Sequence, residues 1–199
     1  VNIVIPSPSG NNNKADIGDG ITILTASKSD EVSLENIGGH GVFTTLLLEA
    51  LKGGAADLRG HITPGSIYAF IDQALGAWDQ RPVFKTNINK FVSLRQVNPQ
   101  IPMQTLREIT RLFPSPTEQI DLDPSFEFTN DKTIEHEYIE PFAIPENVEI
   151  FKKLQQMNKV GLVIPVDEEH MYFAAMNGKS CKLTALGFHY WRLVKDKRI

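Results

Sequence analysis

One thiol and five imidazoles are the side chains of this 199-residue chain with the widest catalytic range. A cysteine nucleophile works as its thiolate and needs a histidine within hydrogen-bond reach to manage the proton. The single cysteine, Cys181, stands in Gly178-Lys-Ser-Cys-Lys-Leu-Thr184, just ahead of a helical pattern in a basic stretch, and reads as a small packed residue. His40 sits between Gly39 and Gly41 at a helix start, where hydrogen bonding or capping explains it better than catalysis. His61, His136, His170 and His189 are scattered, without a Cys or Asp at metal-ligand spacing. One cysteine also excludes an internal disulfide and argues against a cysteine-based zinc site. Two carboxylates, Asp30 and Glu35, follow the first long apolar run; taken alone they read as solvated loop residues or helix caps.

The C-terminal run from Leu183 to Arg198 interleaves basic and aromatic residues, a pattern that nucleic-acid-binding helices share with ordinary core helices. Leu183, Leu186, Tyr190, Leu193 and Val194 fit one buried face and leave Arg192, Lys195, Lys197 and Arg198 in solvent. A regulatory or docking role is therefore expected of this segment ahead of DNA binding.

The elements that must position these groups are legible from periodicity. Residues 1–20 read mostly as loop, because Pro6-Ser-Pro-Ser-Gly-Asn-Asn-Asn13 cannot continue a strand. Ile21–Ala26 is a β-branched run of the kind covered on both faces. Phe43–Leu51 has helical spacing and stops at Gly53-Gly54. Thr63 followed by Pro64 predicts an N-cap and a helix over Ser66–Leu75, and Val83–Leu94 alternates as a strand. Strand, helix, helix, strand implies one side of an α/β sandwich. Further on, a short helix is expected over Gln104–Leu112. An amphipathic helix should begin at Pro145, with Val148, Phe151, Leu154 and Gln155 on one face. A hairpin is expected from Leu162–Val166 and His170–Met176 around Asp167-Glu-Glu169, and a last helix capped by Thr184. Helix, hairpin, helix is a winged-helix-like arrangement.

Three segments in order carry a family resemblance: the Ala-Ser-x-x-Asp-x-x-x-x-Glu pattern at Ala26 to Glu35, the Gly39-His-Gly-Val-Phe-Thr44 run, and Arg81-Pro-Val-Phe-Lys85. Over about residues 20–95 the chain resembles the small-subunit half of a caspase-like cysteine peptidase of the bacterial caspase and metacaspase type. The resemblance implies half of an α/β/α sandwich. It also implies a companion large subunit bearing the catalytic His and Cys, a protein substrate and no cofactor. Where animal caspases present Ser-Trp-Arg, this chain has Ser33-Leu-Glu35. An acidic group there repels aspartate and attracts Lys or Arg, so Glu35 and Asp30 are the expected specificity pocket. Truncating one partner of a buried, hydrogen-bonded pair of this kind costs about 2–5 kcal/mol. Val32, Ser33 and Leu34 would lie beside the substrate as an added strand.

The same resemblance allows Ile3-Val-Ile-Pro-Ser-Pro-Ser-Gly10 to be laid over the family's Asp-x-Cys-His-Ser-Gly motif, with Ser7 at the nucleophile, although only Ser9-Gly10 match. A serine there is scarcely ionised at neutral pH and would mark a pseudopeptidase. The other reading makes these residues a loop left at a new N-terminus by maturation cleavage, for which a chain beginning at Val1 is suggestive.

Composition bounds the rest. With 41% apolar and 22% charged residues, the chain can bury one or two cores. No apolar run approaches the roughly 20 residues of a membrane span, and the expected location is cytoplasmic. Between Glu118 and Glu149 ten acidic residues face only Lys132, whereas Ile150–Ile199 holds nine basic residues against four acidic ones. The expected organisation is therefore a loop or processed segment (1–20), a caspase-like small-subunit region (21–113), an acidic linker (114–144) and a winged-helix-like accessory domain (145–199). The function class in competition is a catalytically inactive interaction module or DNA-binding regulator.

Overall fold

Threonine and isoleucine are stiff at χ1 and favour extended chain, and the first such run forms a strand. In the computed structural model, which describes residues 20–26, 41–76, 82–89, 92–133 and 139–199, this is β1 (Thr22–Thr25). It is followed by α1 (Val42–Glu49), β2 (His61–Ile62), α2 (Pro64–Leu75), β3 (Val83–Thr86) and β4 (Arg95–Gln96). These elements belong to one unit, Val1–Asn98, and the remainder to a second, Pro99–Ile199.

In the first unit β1 pairs antiparallel with β3, Thr22 opposite Thr86, and the two hydroxyls meet at 3.0 Å. β2 pairs with β4, so the long strand expected over Val83–Leu94 is interrupted after Thr86. α1 continues into a wide turn at Ala50–Gly54, where Gly53 takes φ 141, a conformation that L side chains rarely adopt. α2 begins with a full capping box: Ser66 N–H donates to Thr63 Oγ1 at 3.1 Å, and Thr63 N–H donates to Ser66 Oγ at 3.0 Å. Its Ile67, Ile71 and Leu75 join Ile62, Ala50 and Ala55 in the core. Tyr68 stacks on Phe84 at 5.0 Å between ring centroids and ties α2 to β3.

One expectation for this unit fails. β1 is not covered on both faces: Leu24 packs on the core, while Ile23 and the preceding Ile21 are exposed. Among the described residues, the helices of this unit pack on the Leu24 face of the two-stranded sheet. Among the described residues α1 likewise has no fully buried side chain, although it reads Val-Phe-Thr-Thr-Leu-Leu-Leu-Glu.

The second unit holds α3 (Met103–Arg107), α4 (Ile109–Leu112), β5 (Gln119–Asp121), α5 (Pro145–Lys159), β6 (Val163–Val166), α6 (Met171–Met176), β7 (Ser180–Leu183) and α7 (Ala185–Lys195). Its sheet is antiparallel in the order β5-β7-β6. α5 buries Phe151 and Leu154 as expected, with Met157 completing the stripe and Val148 and Gln155 half-buried. Both units thus mix helices with small antiparallel sheets.

Three readings change here. His170–Met176 is not the second arm of a hairpin: Met171, Ala174 and Ala175 are buried at helical spacing, and the strand that pairs with β6 is β7. Of the stripe expected at the C-terminus, Leu183 is buried, Tyr190, Leu193 and Val194 are half-buried and the four basic residues face solvent as expected, but Leu186 is 44% exposed and Gly187 and Trp191 are the buried positions of α7. A Cβ on Gly187 would lie 2.0 Å from the Leu162 carbonyl oxygen, so glycine sets how closely helix and strand approach. Trp191 is then anchored by its indole N–H, which donates to the buried Phe113 carbonyl at 2.7 Å. Finally, residues 114–144 contain β5, a short turn of 3-10 helix at Pro124–Phe126, and the buried Ser125, Glu127 and Asn130. The division between units falls at Asn98/Pro99 instead of on either side of that acidic stretch. Charge composition did not reveal the buried polar groups that fix the segment in place. Among the described residues no helix is long and apolar enough to cross a membrane.

Candidate functional site

The residues expected to grip substrate, Asp30, Val32, Ser33, Leu34 and Glu35, lie outside the described residues, as do Ser7, His40 and His136. What is described is the strand that leads to them. β1 ends at Thr25, and the segment holding all five candidates begins directly after Ala26. β1 is held by β3 on one edge, extended by Gly20 N–H to Asn87 O at 2.8 Å and Asn87 N–H to Ile21 O at 3.0 Å. Among the described residues its other edge has no strand partner. An open edge of this kind presents backbone donors and acceptors to an added chain.

The single thiol is unsuited to nucleophilic work. Cys181 sits in the middle of β7 with no exposed surface, opposite Pro165 on β6 and Ile120 on β5. Burial pushes its pKa up to about 12, so it stays protonated at neutral pH. The described histidines are not assembled around it. His170 packs near Phe173, with ring centroids 6.0 Å apart, and His189 near Tyr190 at 5.8 Å. His61, in the first unit, has Nδ1 3.8 Å from an Asp57 carboxylate oxygen. The other oxygen of Asp57 accepts the Arg59 and His61 backbone N–H groups at 2.9 and 2.8 Å, which makes this carboxylate the organiser of a turn. Among the described residues no group of three His, Cys, Asp or Glu could hold a metal ion.

Electrostatic features of the second unit are structural. Glu108, between α3 and α4, accepts a 2.8 Å hydrogen bond from Lys153 of α5 and another from Arg111, and these hold its pKa below the usual carboxylate value. Sequence reasoning missed Asn130, whose fully buried amide Nδ2 lies within hydrogen-bond reach of the carbonyls of Pro124, Ile139 and Pro141 at 3.2, 2.7 and 3.1 Å, which its two N–H groups share. The Asn-Asp pair in an acidic run looks like loop, and nothing local in the sequence distinguishes a buried asparagine from a solvated one.

No family model matches the chain, and no curated protein matches it.

Proposed function

We propose that this chain is the small-subunit-like portion of a caspase-like cysteine endopeptidase that cleaves proteins after Arg or Lys. It is inactive alone, and the His/Cys dyad comes from a companion large subunit. The observation that carries the reading is the placement of β1: it runs directly into the segment holding Asp30–Glu35, and its second edge and outer face are uncovered among the described residues. A companion strand hydrogen-bonded along that edge would extend the sheet in its own plane and flank Ile21 and Ile23, and the large subunit would bring its thiolate toward the same loop. A sole thiol that is buried and protonated also supports a nucleophile supplied from elsewhere.

In this reading the companion's thiolate attacks the scissile carbonyl carbon, its histidine passes a proton to the leaving amine, and water releases the acyl group. Val32, Ser33 and Leu34 align the substrate backbone, while Glu35 and Asp30 receive the guanidinium or ammonium. No cofactor takes part. The finer fold assignments belong to the same proposal: half of a caspase-like sandwich in the first unit, and in the second a winged-helix-like accessory domain that binds a regulatory protein. The setting is cytoplasmic, away from membrane and nucleic acid.

Intact-mass analysis of the native complex tests the partnership: a second polypeptide with an alkylatable cysteine is expected, and a solitary chain of full activity would reject it. Specificity is tested in the assembled enzyme by Glu35→Ala. Cleavage of Arg and Lys peptides should fall by at least tenfold in kcat/KM, matching about 1.4 kcal/mol or more of lost transition-state binding. Undiminished cleavage after Arg and Lys removes the pocket assignment.

A further inference from the structure

The last turn of α7 closes in a cap that lysine is ill suited to make. Arg198 N–H donates to Leu193 O at 2.8 Å and Lys197 N–H to Val194 O at 3.0 Å, the paired bonds that end a helix when the chain turns left-handed. The left-handed residue is Lys197, at φ 54. Glycine or asparagine takes this backbone with less strain, so a lysine kept there points to a use for its side chain. The turn sets Lys197 and Arg198 beside the end of the helix before any ligand arrives. Helical spacing places Phe188, Arg192 and Lys195 in one row next to the buried Trp191. Phe188 is 43% exposed and the Arg192 side chain 70%, while Lys195, Lys197 and Arg198 are also exposed. Lys195 holds Nζ 4.5 Å from the centre of the Trp191 ring, which keeps its ammonium on this row.

The charge here is one-sided. Arg192, Lys195, Lys197 and Arg198 face a single carboxylate in this segment, Asp196, which lies 3.8 Å from Arg192 Nε in a solvated pair of little strength. Cations in a last helical turn also complement the helix dipole, which accounts for Arg192 and Lys195 but not for a lysine held past the helix end in left-handed backbone. We infer that this end of α7 docks an acidic segment of another protein. Its carboxylates meet Arg192, Lys197 and Arg198, and an apolar side chain beside them packs on Phe188. A nucleic acid fits less well, since the chain as a whole carries a formal charge of −4 and these cations occupy only one helix end. The inference gives a chemistry to the regulatory partner of the second unit and rests on that part of the proposed function. It needs neither the companion subunit nor cleavage, so the two readings fail separately.

The test is fluorescence anisotropy of a labelled peptide rich in glutamate and leucine, titrated with the full chain. An otherwise identical peptide with lysine in place of glutamate serves as control. The acidic peptide should bind, more weakly as salt rises, and Arg192→Glu, Lys197→Glu and Phe188→Ser should each weaken it by about threefold or more. Leu186→Ser, about 160° round the helix axis from Phe188, should leave it unchanged. So should Lys85→Glu, which alters the net charge as much as Lys197→Glu but lies in the first unit. All the altered side chains are exposed, and circular dichroism checks that each variant is folded. Lys197→Gly keeps the test open if a reversal fails that check: its urea midpoint should hold or rise, because glycine takes the left-handed turn freely, while binding still weakens by about twofold or more. Equal binding of the lysine peptide, no binding of either peptide, or indifference to the α7 variants overturns the assignment. So does tighter binding of a single-stranded oligonucleotide that the same variants abolish, which would make nucleic acid the occupant.

Discussion

Cys181 shows how the same side chain serves opposite ends depending on its surroundings. A thiol at the centre of a covered strand loses the hydration its thiolate needs, and its pKa rises to about 12. The native chain should accordingly resist iodoacetamide at mildly alkaline pH and react at once when denatured, as mass spectrometry can read. Rapid native alkylation would mean that β7 is open. The sign of the linkage follows: the unfolded thiol ionises first, so its contribution to stability is intact below pH about 9 and is lost as pH climbs toward 12. Replacing Cys181 with Ala should flatten that alkaline decline, measured by urea denaturation across the range. In the proposed pocket Glu35 and Asp30 would run the other way, since a carboxylate paired with a substrate cation holds it more strongly when partly desolvated.

Caps and close approaches fix the elements. The reciprocal Thr63 and Ser66 bonds satisfy two orphan groups at the start of α2, and Thr63→Ala should cost about 1 kcal/mol, read from chemical denaturation. A loss near zero would show that Ser66 and Pro64 suffice. Gly187 poses a sharper case. Alanine is favoured over glycine in a helix by about 1 kcal/mol, yet its Cβ would meet the Leu162 carbonyl at 2.0 Å. The clash is with backbone and cannot be relieved by a rotamer change, so Gly187→Ala should destabilise the second unit by about 2–4 kcal/mol. Unchanged or raised stability would show that α7 can slide away from β6 freely. These elements also mark the limits of periodicity. α7 carries Leu186, Phe188, Tyr190, Trp191, Leu193 and Val194 around most of its circumference, so several rotations satisfy an apolar stripe. The short run His170–Met176 was similarly ambiguous between strand and helix until Met171, Ala174 and Ala175 found a shared cover.

At the scale of the whole chain, two cores of different character stand out. The second unit is closed around large side chains, among them Phe113, Phe151, Leu154 and Met157. The first rests on Ile62, Ile67, Ile71 and Leu75, with Leu24, Phe43, Leu46 and Leu47 only partly covered among the described residues. If a companion strand completes the first unit, its binding must stabilise that unit by mass action. Hydrogen exchange should therefore slow in β1 and α1 when the companion is added, and the isolated chain should show no thiol-dependent hydrolysis of Arg or Lys peptides. Protection that does not change on assembly would argue against an added strand at β1.

What the sequence alone determined were the features governed by local chemistry: the Thr63 cap, the stop at Gly53, the strand at Ile21–Ala26, and the inward Phe151 and Leu154. Each depends on a few neighbouring residues and on steric or capping preferences that hold in any fold. Tertiary structure alone decided that β6 pairs with β7, that Gly187 and Trp191 turn inward, that the acidic stretch is pinned by Asn130, and that Ile21 and Ile23 stand exposed while Leu24 packs inward. Those outcomes depend on which distant surfaces meet, and burial of a polar amide or exposure of an isoleucine is a property of the neighbour it finds, which no local pattern records.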